Sequence, residues 1–302
     1  MSKPAVAAII LNWNNAPDTL RAVEAVYKTG YQPLEVVVVD NASRDDSVAC
    51  IRAAFPQATL LVNAENQGYA EGNNVGLRHA LAQGADYLLV LNDDTVVAPD
   101  MIDALVEAAE ADTRAGILGP KVYTLEQPNV ILSAGAYLEK GGHITTPALG
   151  SVDEGQWDQV ADVGYLSGCA VLVRRAAAEK AGLLDAQFFA YQEDIDWCYR
   201  IRDAGFRCLY IPQARCWHPD TRTGRENSPL VTYYMSRNHL LFVRKHRLGA
   251  GEMARSLAVF LRRILSWSLR PKWRYKRPQR DALARALFDF ALGRFGKAKG
   301  FG

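Results

Sequence analysis

Short apolar runs alternate with longer amphipathic stretches through the first half of the chain. The apolar runs, rich in Val, Ile and Leu, predict strands at 5–13, 34–40, 58–62, 87–91 and 116–119. The stretches between them predict helices at 18–29, 45–55, 71–83 and 99–111. Near-continuous apolar strands separated by helices are typical of a parallel sheet that is covered on both faces. The sequence therefore predicts an α/β fold with a mostly parallel sheet and helices on both of its faces.

Beyond the fourth predicted helix the pattern changes. Gly, Thr and Pro residues indicate loops over 127–164. The elements predicted after them are strands at 165–174 and 208–211 and helices at 193–204, 231–246, 252–269 and 280–293. We therefore expect an α/β domain over residues 1–228 and a basic helical extension over residues 229–302.

Polar residues follow the apolar part of each of the first four predicted strands. They are Asn12 and Asn14 after the first strand, Asp40 after the second, Asn66 and Gly68 after the third, and Asn92, Asp93 and Asp94 after the fourth. Because ligands of such sheets bind beyond the carboxyl ends of the strands, these residues are predicted to share one site. Gly68, Gly72 and Gly76 recur at intervals of four, which suits either close packing on a strand or backbone approach to a phosphate.

The stretch LVLNDDT (89–95) places two adjacent carboxylates at the end of a strand that is predicted to be buried. Two such charges repel one another unless a cation or hydrogen-bond donors offset the repulsion. A hard divalent cation such as Mg2+ or Mn2+ prefers oxygen ligands and is often held by one or two carboxylates together with phosphate oxygens and water. The alternative is that one carboxylate caps the turn before the next helix. The pair alone favours the cap, whereas the polar residues at neighbouring strand ends favour the cation.

The net charge of +2 conceals an uneven distribution. Residues 1–236 carry 18 Lys and Arg against 30 Asp and Glu, whereas residues 237–302 carry 17 against 3. In the segment FLRRILSWSLRPKWRYKR (260–277), basic residues are interleaved with Leu, Trp and Tyr. This pattern fits either a helix that lies on an anionic membrane, or a basic helix whose apolar side packs on the protein or on a second subunit. No recognition motif accompanies these charges, so no nucleic-acid partner is expected.

The five cysteines include no Cys-x-x-Cys pair, which indicates a reducing compartment and no structural zinc site. No signal-peptide layout precedes the first predicted strand. The most apolar late stretch, 256–269, is interrupted by Arg262 and Arg263 and is too short to span a bilayer. We therefore expect a cytoplasmic protein, with peripheral contact at the inner face of the cytoplasmic membrane left open.

Seven blocks of the sequence match one known family in content and order. They are AAIILNWNN (7–15), VVVVDNAS (36–43), NAENQGYAEGNNVG (63–76), LVLNDDT (89–95), LSGCAVLVRR (166–175), FFAYQEDIDWCYRIRDAGFR (188–207) and YYMSRNHLLF (233–242). In these blocks the chain resembles the family 2 glycosyltransferases of GT-A fold, in particular the bacterial rhamnosyltransferase-like members. The resemblance implies a Rossmann-like GT-A sheet and a metal-dependent inverting glycosyltransferase. The best candidate donor is dTDP-L-rhamnose, and the implied acceptor is a cell-envelope glycan or a lipid-linked acceptor.

The resemblance also implies roles for individual residues. The implied ligands of the nucleoside diphosphate sugar are Asn12, Asn14, Asp40, Asn66, Gly68, Asn92, Asp93 and Arg237. Asp94 and His218 are the implied ligands of Mg2+ or Mn2+, and Asn92 stands where the family has the first aspartate of its Asp-x-Asp element. Glu193 and Asp194 match the family's acidic catalytic pair, with Asp194 as the general base that takes a proton from the acceptor hydroxyl. Acidic residues also stabilise the start of a helix, and that role is compatible with catalysis.

Several alternatives are open from the sequence. A UDP-hexose or UDP-hexosamine donor fits the same motifs, and so does a non-catalytic sugar-nucleotide-binding scaffold at a membrane. A homo-oligomer is also left open. A nucleotide-dependent dehydrogenase shares the strand and helix pattern, but Asn12, Trp13 and Asn14 stand where its Gly-x-Gly-x-x-Gly motif would follow the first strand.

Overall fold

The structure, a computed structural model, describes residues 3–138, 144–220 and 228–300. By their contacts, the residues fall into two compact units. The first is formed by Met1–Leu138, Thr145–Leu184 and Asp194–Asp220, and the second by Glu139–Ile144, Asp185–Glu193 and Thr221–Gly302. The second unit thus combines the C-terminal helices with Asp185–Glu193, a segment that the sequence pattern places in the α/β domain. The predicted boundary after residue 228 itself stays a prediction.

The first unit is built on a mixed sheet that is mostly parallel at its centre. The strands of the structure are β1 Val6–Asn12, β2 Leu34–Asp40, β3 Thr59–Val62, β4 Tyr87–Asn92, β5 Val96–Val97, β6 Ala115–Thr124, β7 Ile131–Ser133, β8 Tyr137–Leu138, β9 Ile144–Thr145, β10 Ala161–Asp162, β11 Ala170–Arg174 and β12 Arg207–His218. The order across the main sheet is β10-β12-β6-β11-β4-β1-β2-β3, with β5 beside β12 and β7 beside β6. β1 is parallel to β2 and β4, and β12 is parallel to β6, whereas β11 is antiparallel to β4 and β6. The predicted α/β sheet is confirmed.

Helices cover both faces of this sheet, as predicted. They are α1 Ala16–Lys28, α2 Ser47–Ala54, α3 Gly68–Ala82, α4 Met101–Ala111, α5 Arg175–Ala181 and α6 Glu193–Asp203. Alternate residues of β1 point to opposite faces. Ala8 and Ile10 pack in a core with α1, α2 and α4, whereas Ala7 and Ile9 pack in a second core with α3 and α5. Because both faces of the strand are buried, its sequence is continuously apolar.

The start of α3 lies close to β1 because glycines face the strand. A Cβ on Gly76 would lie 2.6 Å from Ile9 Cγ2, and a Cβ on Gly72 would lie 2.7 Å from Leu11 Cδ1. Close packing, the first of the two interpretations open from the sequence, therefore accounts for Gly72 and Gly76. Gly68 begins α3 with φ of 78°, in the left-handed region that favours glycine.

The second unit is helical, and the predicted helical extension is confirmed. Its helices are α7 Pro229–Lys245, α8 Ala250–Leu269, a 3₁₀ helix at Pro271–Lys276, and α9 Arg277–Ala291. They pack around two small clusters of buried side chains, one formed by Tyr233, Tyr234, Ala282 and Ala286 and the other by Leu240, Phe260 and Leu283. In the described ranges, no helix combines the length and the apolar character needed to cross a bilayer.

Gly76→Ala is expected to lower the free energy of unfolding by about 1 to 3 kcal/mol, because the added methyl group would overlap Ile9 and Val39. Gly251→Ala is the matched control, since nothing lies within 4 Å of its added methyl group. Alanine favours a helix by up to about 1 kcal/mol over glycine, so the control is expected to be neutral or stabilising. Urea unfolding followed by circular dichroism measures both variants. Equal stability of the two would contradict the close packing of α3 on β1.

Candidate active site

Asn12 and Asp40, at the carboxyl ends of β1 and β2, are joined by a direct hydrogen bond. The Asn12 side-chain amide donates to Asp40 Oδ1 at 2.7 Å, and Asn12 Oδ1 accepts from the Thr19 hydroxyl at 2.7 Å. Asp40 Oδ2 accepts from the backbone amide of Ser43 at 2.9 Å. Asn12 and Asp40 are fully buried, so in this structure they hold the turn after β2 in place from beneath.

Asn14 fixes the same turn from its exposed side. Its backbone amide donates to Ser43 Oγ at 2.8 Å, and its Oδ1 accepts from the backbone amide of Arg44 at 2.7 Å. Asn14 has φ of 53°, a left-handed conformation in which asparagine is enriched. The neighbouring Trp13 is 54% exposed. The carboxyl end of β1 therefore presents an amide and an aromatic ring at the surface of the first unit.

Asn41, which follows Asp40 among the polar residues at the strand ends, joins the ends of β2 and β3 to the start of α3. Its Nδ2 donates to Asn66 Oδ1 at 3.2 Å and to the Gly68 carbonyl oxygen at 3.0 Å. Its Oδ1 accepts from Asn63 Nδ2 at 3.1 Å and from the Gln67 backbone amide at 3.0 Å. The structure thus brings Asn66 and Gly68 together through one buried amide. An asparagine within a predicted turn carried no signal that would have identified this contact.

Asn92, the last residue of β4, and Asp94, two residues beyond it, meet His218 at the end of β12. His218 Nε2 lies 3.1 Å from Asn92 Nδ2 and 3.1 Å from Asp94 Oδ1. His218 Nδ1 lies 2.8 Å from the carbonyl oxygen of Pro219, so Nδ1 is the ring nitrogen that donates a hydrogen bond there. The side chains of His218 and Asp94 are only 7% and 19% exposed. The sheet therefore delivers an imidazole nitrogen, an amide and a carboxylate to one place.

The group formed by Asn92, Asp94 and His218 fits a divalent cation. Asn92 Oδ1 is buried and accepts no hydrogen bond from the described residues, and the buried Asp94 Oδ1 faces His218 Nε2 at 3.1 Å. Because Nδ1 of His218 donates to a backbone carbonyl, loss of the Nε2 proton would leave the Nε2 lone pair directed at Asn92 and Asp94, the arrangement found in metal-bound histidines. Within the described parts of the chain, three or more His, Cys, Asp or Glu side chains nowhere form a metal-binding group. A Mg2+ or Mn2+ ion held here would take its remaining ligands from phosphate and water.

Burial and neighbouring charges shift the pKa values of the groups at this edge of the sheet. Burial, together with the charge of Asp94, raises the pKa of Asp93 to about 7, although a hydrogen bond from Asn15 Nδ2 at 3.1 Å lowers it. Burial by itself lowers the pKa of His218. Asp94 and Cys169 raise this pKa by more than burial lowers it, so the pKa of His218 is about 9. A positive charge on His218 is therefore favoured beside Asp94, in the place where a bound cation would supply one.

Asp194, in the first turn of α6, accepts three hydrogen bonds. Its Oδ2 accepts from the Tyr165 hydroxyl at 2.8 Å and the Gly168 backbone amide at 3.1 Å, and its Oδ1 accepts from the Ile195 backbone amide at 2.9 Å. Burial raises the pKa of Asp194, while these hydrogen bonds lower it, and the pKa stays above its usual value. The carboxylate is thus oriented by its donors and made more basic by burial, which suits a general base.

The loop before β11 provides two of these three donors, Tyr165 and Gly168, which sequence reasoning missed. The sequence pattern predicts a strand at 165–174, but β11 begins only at Ala170. A Cβ on Gly168 would lie 3.0 Å from Asp194 Oδ2, so only glycine lets this backbone approach the carboxylate without displacement. The Tyr69 hydroxyl of α3 donates to the Gly168 carbonyl oxygen at 2.8 Å and fixes the same peptide.

Arg237 is buried inside the second unit, which differs from the donor-binding role that the sequence suggests. It is 1% exposed, and its guanidinium donates to the carbonyl oxygens of Gly296 at 2.7 Å, Gln187 at 3.3 Å and Phe188 at 3.2 Å. The neighbouring Asn238 donates to three carbonyl oxygens of residues 188–191 at 2.8–2.9 Å. A guanidinium enclosed in this way has no surface for an anionic ligand. Arg237 and Asn238 instead hold the backbone of Asp185–Glu193.

The segment held by Arg237 and Asn238 has a strained backbone. Phe189, Tyr191 and Gln192 have φ of 64°, 69° and 72°, which is uncommon for residues with a Cβ. Such conformations persist only when surrounding contacts enforce them, and they are often found at functional sites. Glu193, the first residue of the predicted catalytic pair, ends this segment and is 5% exposed. The strained segment thus leads directly, along the chain, into the acidic pair.

The sequence profile of the family described as glycosyltransferase like family 2 matches residues 4–233. The chain therefore belongs to glycosyltransferase family 2 and is a glycosyltransferase. This membership confirms the family resemblance carried by the seven sequence blocks.

Two relatives of this chain are named rhamnosyltransferases. An N-acetylglucosaminyl-diphospho-decaprenol L-rhamnosyltransferase of Mycobacterium tuberculosis is 26% identical over 261 residues, which cover 79% of this chain and 84% of the relative. A dTDP-rhamnosyl transferase, RfbF, of Shigella flexneri is 25% identical over 259 residues, which cover 80% of this chain and 81% of the relative.

Solved structures of other glycosyltransferases share the fold of this chain. The mannosyltransferase PcManGT of Pyrobaculum calidifontis, in complex with GDP-Man and Mn2+, has a TM-score of 0.61 at 17% identity and covers 97% of this chain and 88% of its own. GalNAc-T7 with UDP, GalNAc and Mn2+ has a TM-score of 0.64 at 18% identity and covers 80% of this chain and 48% of its own. The predicted GT-A fold is thereby confirmed.

Tyr165→Phe is expected to move the acid limb of the transferase pH profile upward and to lower turnover near neutral pH by about tenfold. The reason is that a base works ionised, and a hydrogen bond to a charged group stabilises that form by about 1.5 to 3 kcal/mol. Because the pKa of Asp194 is already raised, the rate is expected to fall at a pH above the usual pKa of an aspartate. Removal of the Tyr165 hydroxyl raises this pKa further. Release of nucleoside diphosphate, followed from acid to neutral pH, measures the profile.

Two further variants control the Tyr165 experiment. Tyr137→Phe removes an exposed hydroxyl of the first unit and is expected to leave the profile unchanged. Asp194→Asn is expected to abolish turnover at every pH while nucleotide binding survives. Superimposable acid limbs for Tyr165→Phe and the unaltered protein would contradict the assignment of Asp194.

Proposed function

We propose that this glycosyltransferase transfers L-rhamnose from dTDP-L-rhamnose, with inversion at the anomeric carbon, to a cell-envelope glycan or a lipid-linked acceptor. The names of the Mycobacterium tuberculosis and Shigella flexneri relatives support the sugar, and the first of them also supports a lipid-linked acceptor. The observation that supports metal-dependent transfer is the convergence of Asn92 and Asp94 on His218 Nε2, each at 3.1 Å, beside the buried Asn92 Oδ1, which accepts no hydrogen bond from the described residues.

The ends of β1 to β4 are the donor site in this proposal. The residues assigned to the nucleotide sugar are Asn12, Asn14, Asp40, Asn66, Gly68, Asn92 and Asp93. Asn12 and Asp40 act from beneath by holding the turn after β2, because both are fully buried. Asn14 and Trp13 lie on the exposed side, where an amide and an aromatic face suit a nucleobase. Arg237 is not assigned to the donor, because its guanidinium is enclosed.

Asp94 and His218 would hold the Mg2+ or Mn2+ ion, with the Oδ1 atom of Asn92 as a further ligand. Such an ion offsets the charge that develops on the departing nucleoside diphosphate. The hydrogen bond from His218 Nδ1 to Pro219 keeps Nε2 directed at Asp94. Because Asn92 replaces a carboxylate, the protein supplies little negative charge by itself. We therefore expect tight binding of the ion only together with a diphosphate.

Asp194 is the proposed general base. As the acceptor oxygen bonds to the anomeric carbon, its proton passes to the Asp194 carboxylate. The bond from that carbon to the phosphate oxygen breaks, and the nucleoside diphosphate leaves with the electron pair. Base assistance of this kind contributes about 10² to 10⁴ in rate. Tyr165 and the Gly168 amide keep the carboxylate oriented, and Glu193 is assigned as the second member of the acidic pair.

A cytoplasmic location, at the inner face of the cytoplasmic membrane, belongs to the same proposal. The five free cysteines support a reducing compartment. The excess of Lys and Arg after residue 236 supports contact with an anionic surface. A homo-oligomer is also compatible with these properties.

Thermal unfolding with a panel of nucleoside diphosphates and their sugars tests the donor and the metal together. With dTDP or dTDP-rhamnose plus Mg2+ or Mn2+, the melting temperature is expected to rise by about 4 to 6 °C at a ligand concentration near one hundred times Kd, because the ligand binds only the folded protein. The same ligands with EDTA are expected to give a much smaller rise.

The other outcomes of the panel are equally informative. A rise only with UDP sugars would discard rhamnose and favour a UDP-hexose or UDP-hexosamine donor. No rise with any member of the panel would overturn the donor site and favour a non-catalytic scaffold. GDP and GDP-mannose serve as controls for binding that does not depend on the base.

A further inference from the structure

Helix α8 in the second unit has two apolar sides, and only one of them is buried. Its inner side packs in the unit through Met253, Leu257, Phe260, Ile264 and Trp267. On the outer side, Leu261, Leu265 and Leu269 are 53%, 60% and 77% exposed. Residues four apart lie above one another on a helix, so these three leucines form one stripe, here named the leucine face. An exposed contiguous apolar stripe of this kind marks an interaction surface.

Cations surround the leucine face. Residues 253–280 contain nine Lys and Arg and no Asp or Glu. Arg262 adjoins the stripe on α8, and the 3₁₀ helix Pro271–Lys276 follows directly after Leu269 with Lys272 and Arg274 exposed. Among the described residues, no carboxylate lies within ion-pair distance of Arg262, Lys272 or Arg274. These charges are therefore available to an anionic partner.

Aromatic side chains lie within the same basic segment. Tyr275 is 61% exposed, and Lys276 Nζ lies 5.4 Å from the centre of its ring. Lys272 Nζ lies 5.3 Å from the centre of the Trp273 ring. Rings with one apolar body and one polar tip, next to Lys and Arg, are typical of segments that lie at the boundary between lipid headgroups and acyl chains.

We propose that the leucine face docks on an anionic phospholipid surface, with α8 parallel to the membrane and the basic residues at the level of the headgroup phosphates. The three leucines supply the apolar contact, and the cations supply attraction to the negative surface. A second copy of the chain that docked by the same face would place these cations opposite identical cations, which opposes association. Charge complementarity therefore favours lipid over a dimer.

This inference deepens the proposed membrane contact, but its measurement needs neither donor nor acceptor. The full chain is mixed with vesicles of phosphatidylcholine alone or with added phosphatidylglycerol and is then separated by flotation. We expect flotation with the anionic vesicles only, and weaker flotation as salt is raised, because salt screens the charges. No flotation with anionic vesicles at low salt would overturn the proposal.

Two variants separate the leucines from the charges. The triple variant Leu261→Ser, Leu265→Ser, Leu269→Ser is expected to bind anionic vesicles at least about tenfold more weakly. The double variant Val152→Ser, Val160→Ser is its matched control, because these residues are similarly exposed in the first unit, and it is expected to bind normally. Arg262→Gln with Lys272→Gln is expected to reduce the preference for anionic vesicles. Undiminished binding of the triple leucine variant would refute the docking face.

Sedimentation velocity distinguishes docking on lipid from formation of a dimer through the leucine face. The chain is expected to sediment identically before and after the three leucine substitutions. A dimer that these substitutions dissociate would show that a second copy covers the leucine face and would overturn the lipid proposal. Thermal unfolding of the triple variant with the donor panel distinguishes this failure from failure of the proposed function. Its donor-dependent rise is expected to match that of the unaltered chain.

Discussion

The adjacent carboxylates at the end of β4 are the constraint on which the rest of the site depends. Asp93 and Asp94 follow a buried strand, where the sheet gives them little access to water. Burial and the neighbouring charge raise the pKa of Asp93 to about 7, and the pKa of His218 beside Asp94 rises to about 9. The first shift has burial as its main cause and the charge of Asp94 as its second, and the second shift has Asp94 as its main cause. In the proposed reaction, a divalent cation bound together with the donor phosphates would take the place of the proton on His218 beside Asp94.

In the proposed donor site, buried amides hold the strand ends and the start of α3 in place. Asn12 and Asn41 tie the ends of three strands and the start of α3 to one another, and Asp40 accepts from Asn12 with one oxygen and from the turn after β2 with the other. A site whose loops are already fixed loses little conformational entropy on binding. The Asp194 carboxylate is held in place in a similar way. Its three donors belong to the loop before β11 and to the start of α6, which the fold positions without a substrate.

Much of the sheet could be predicted because its strands are buried on both faces. A strand such as β1 therefore has a continuous apolar sequence that is easy to find. The regular alternation of such strands with helices along the chain then identifies an α/β fold. β12 was harder, because Pro212, Gln213 and Arg215 interrupt its apolar pattern. The strand continues to His218 through a shift of register against β6 between Ile211 and Arg215. Sequence reasoning ended this strand at residue 211, although it singled out His218 for its chemistry.

The contacts that sequence reasoning missed depend on tertiary structure. Tyr165 follows a stretch of loops and has no local signal of its role, because Asp194 is 29 residues away in the chain. Arg237 looks like an anion ligand in any sequence, and only the fold shows that backbone carbonyls enclose its guanidinium. The sequence block that contains Arg237 matches the family, but the contacts of Arg237 with the backbone of Gln187 and Phe188 depend on the fold. The positive φ angles of Phe189, Tyr191 and Gln192 could not be predicted either, since nothing in these side chains requires a positive φ.

Binding of Mn2+ in the presence of dTDP tests whether the carboxylate at the end of β4 and His218 hold a metal ion. Isothermal titration compares the unaltered chain with Asp94→Asn and His218→Gln, and His79→Gln serves as the control because that histidine pairs with Glu35 elsewhere in the first unit. The Asp94 and His218 variants are expected to bind Mn2+ at least about tenfold more weakly, as expected when a metal ligand is lost, while the control binds normally. Unchanged Mn2+ affinity in both variants would contradict the assignment of the strand-end carboxylate to a metal.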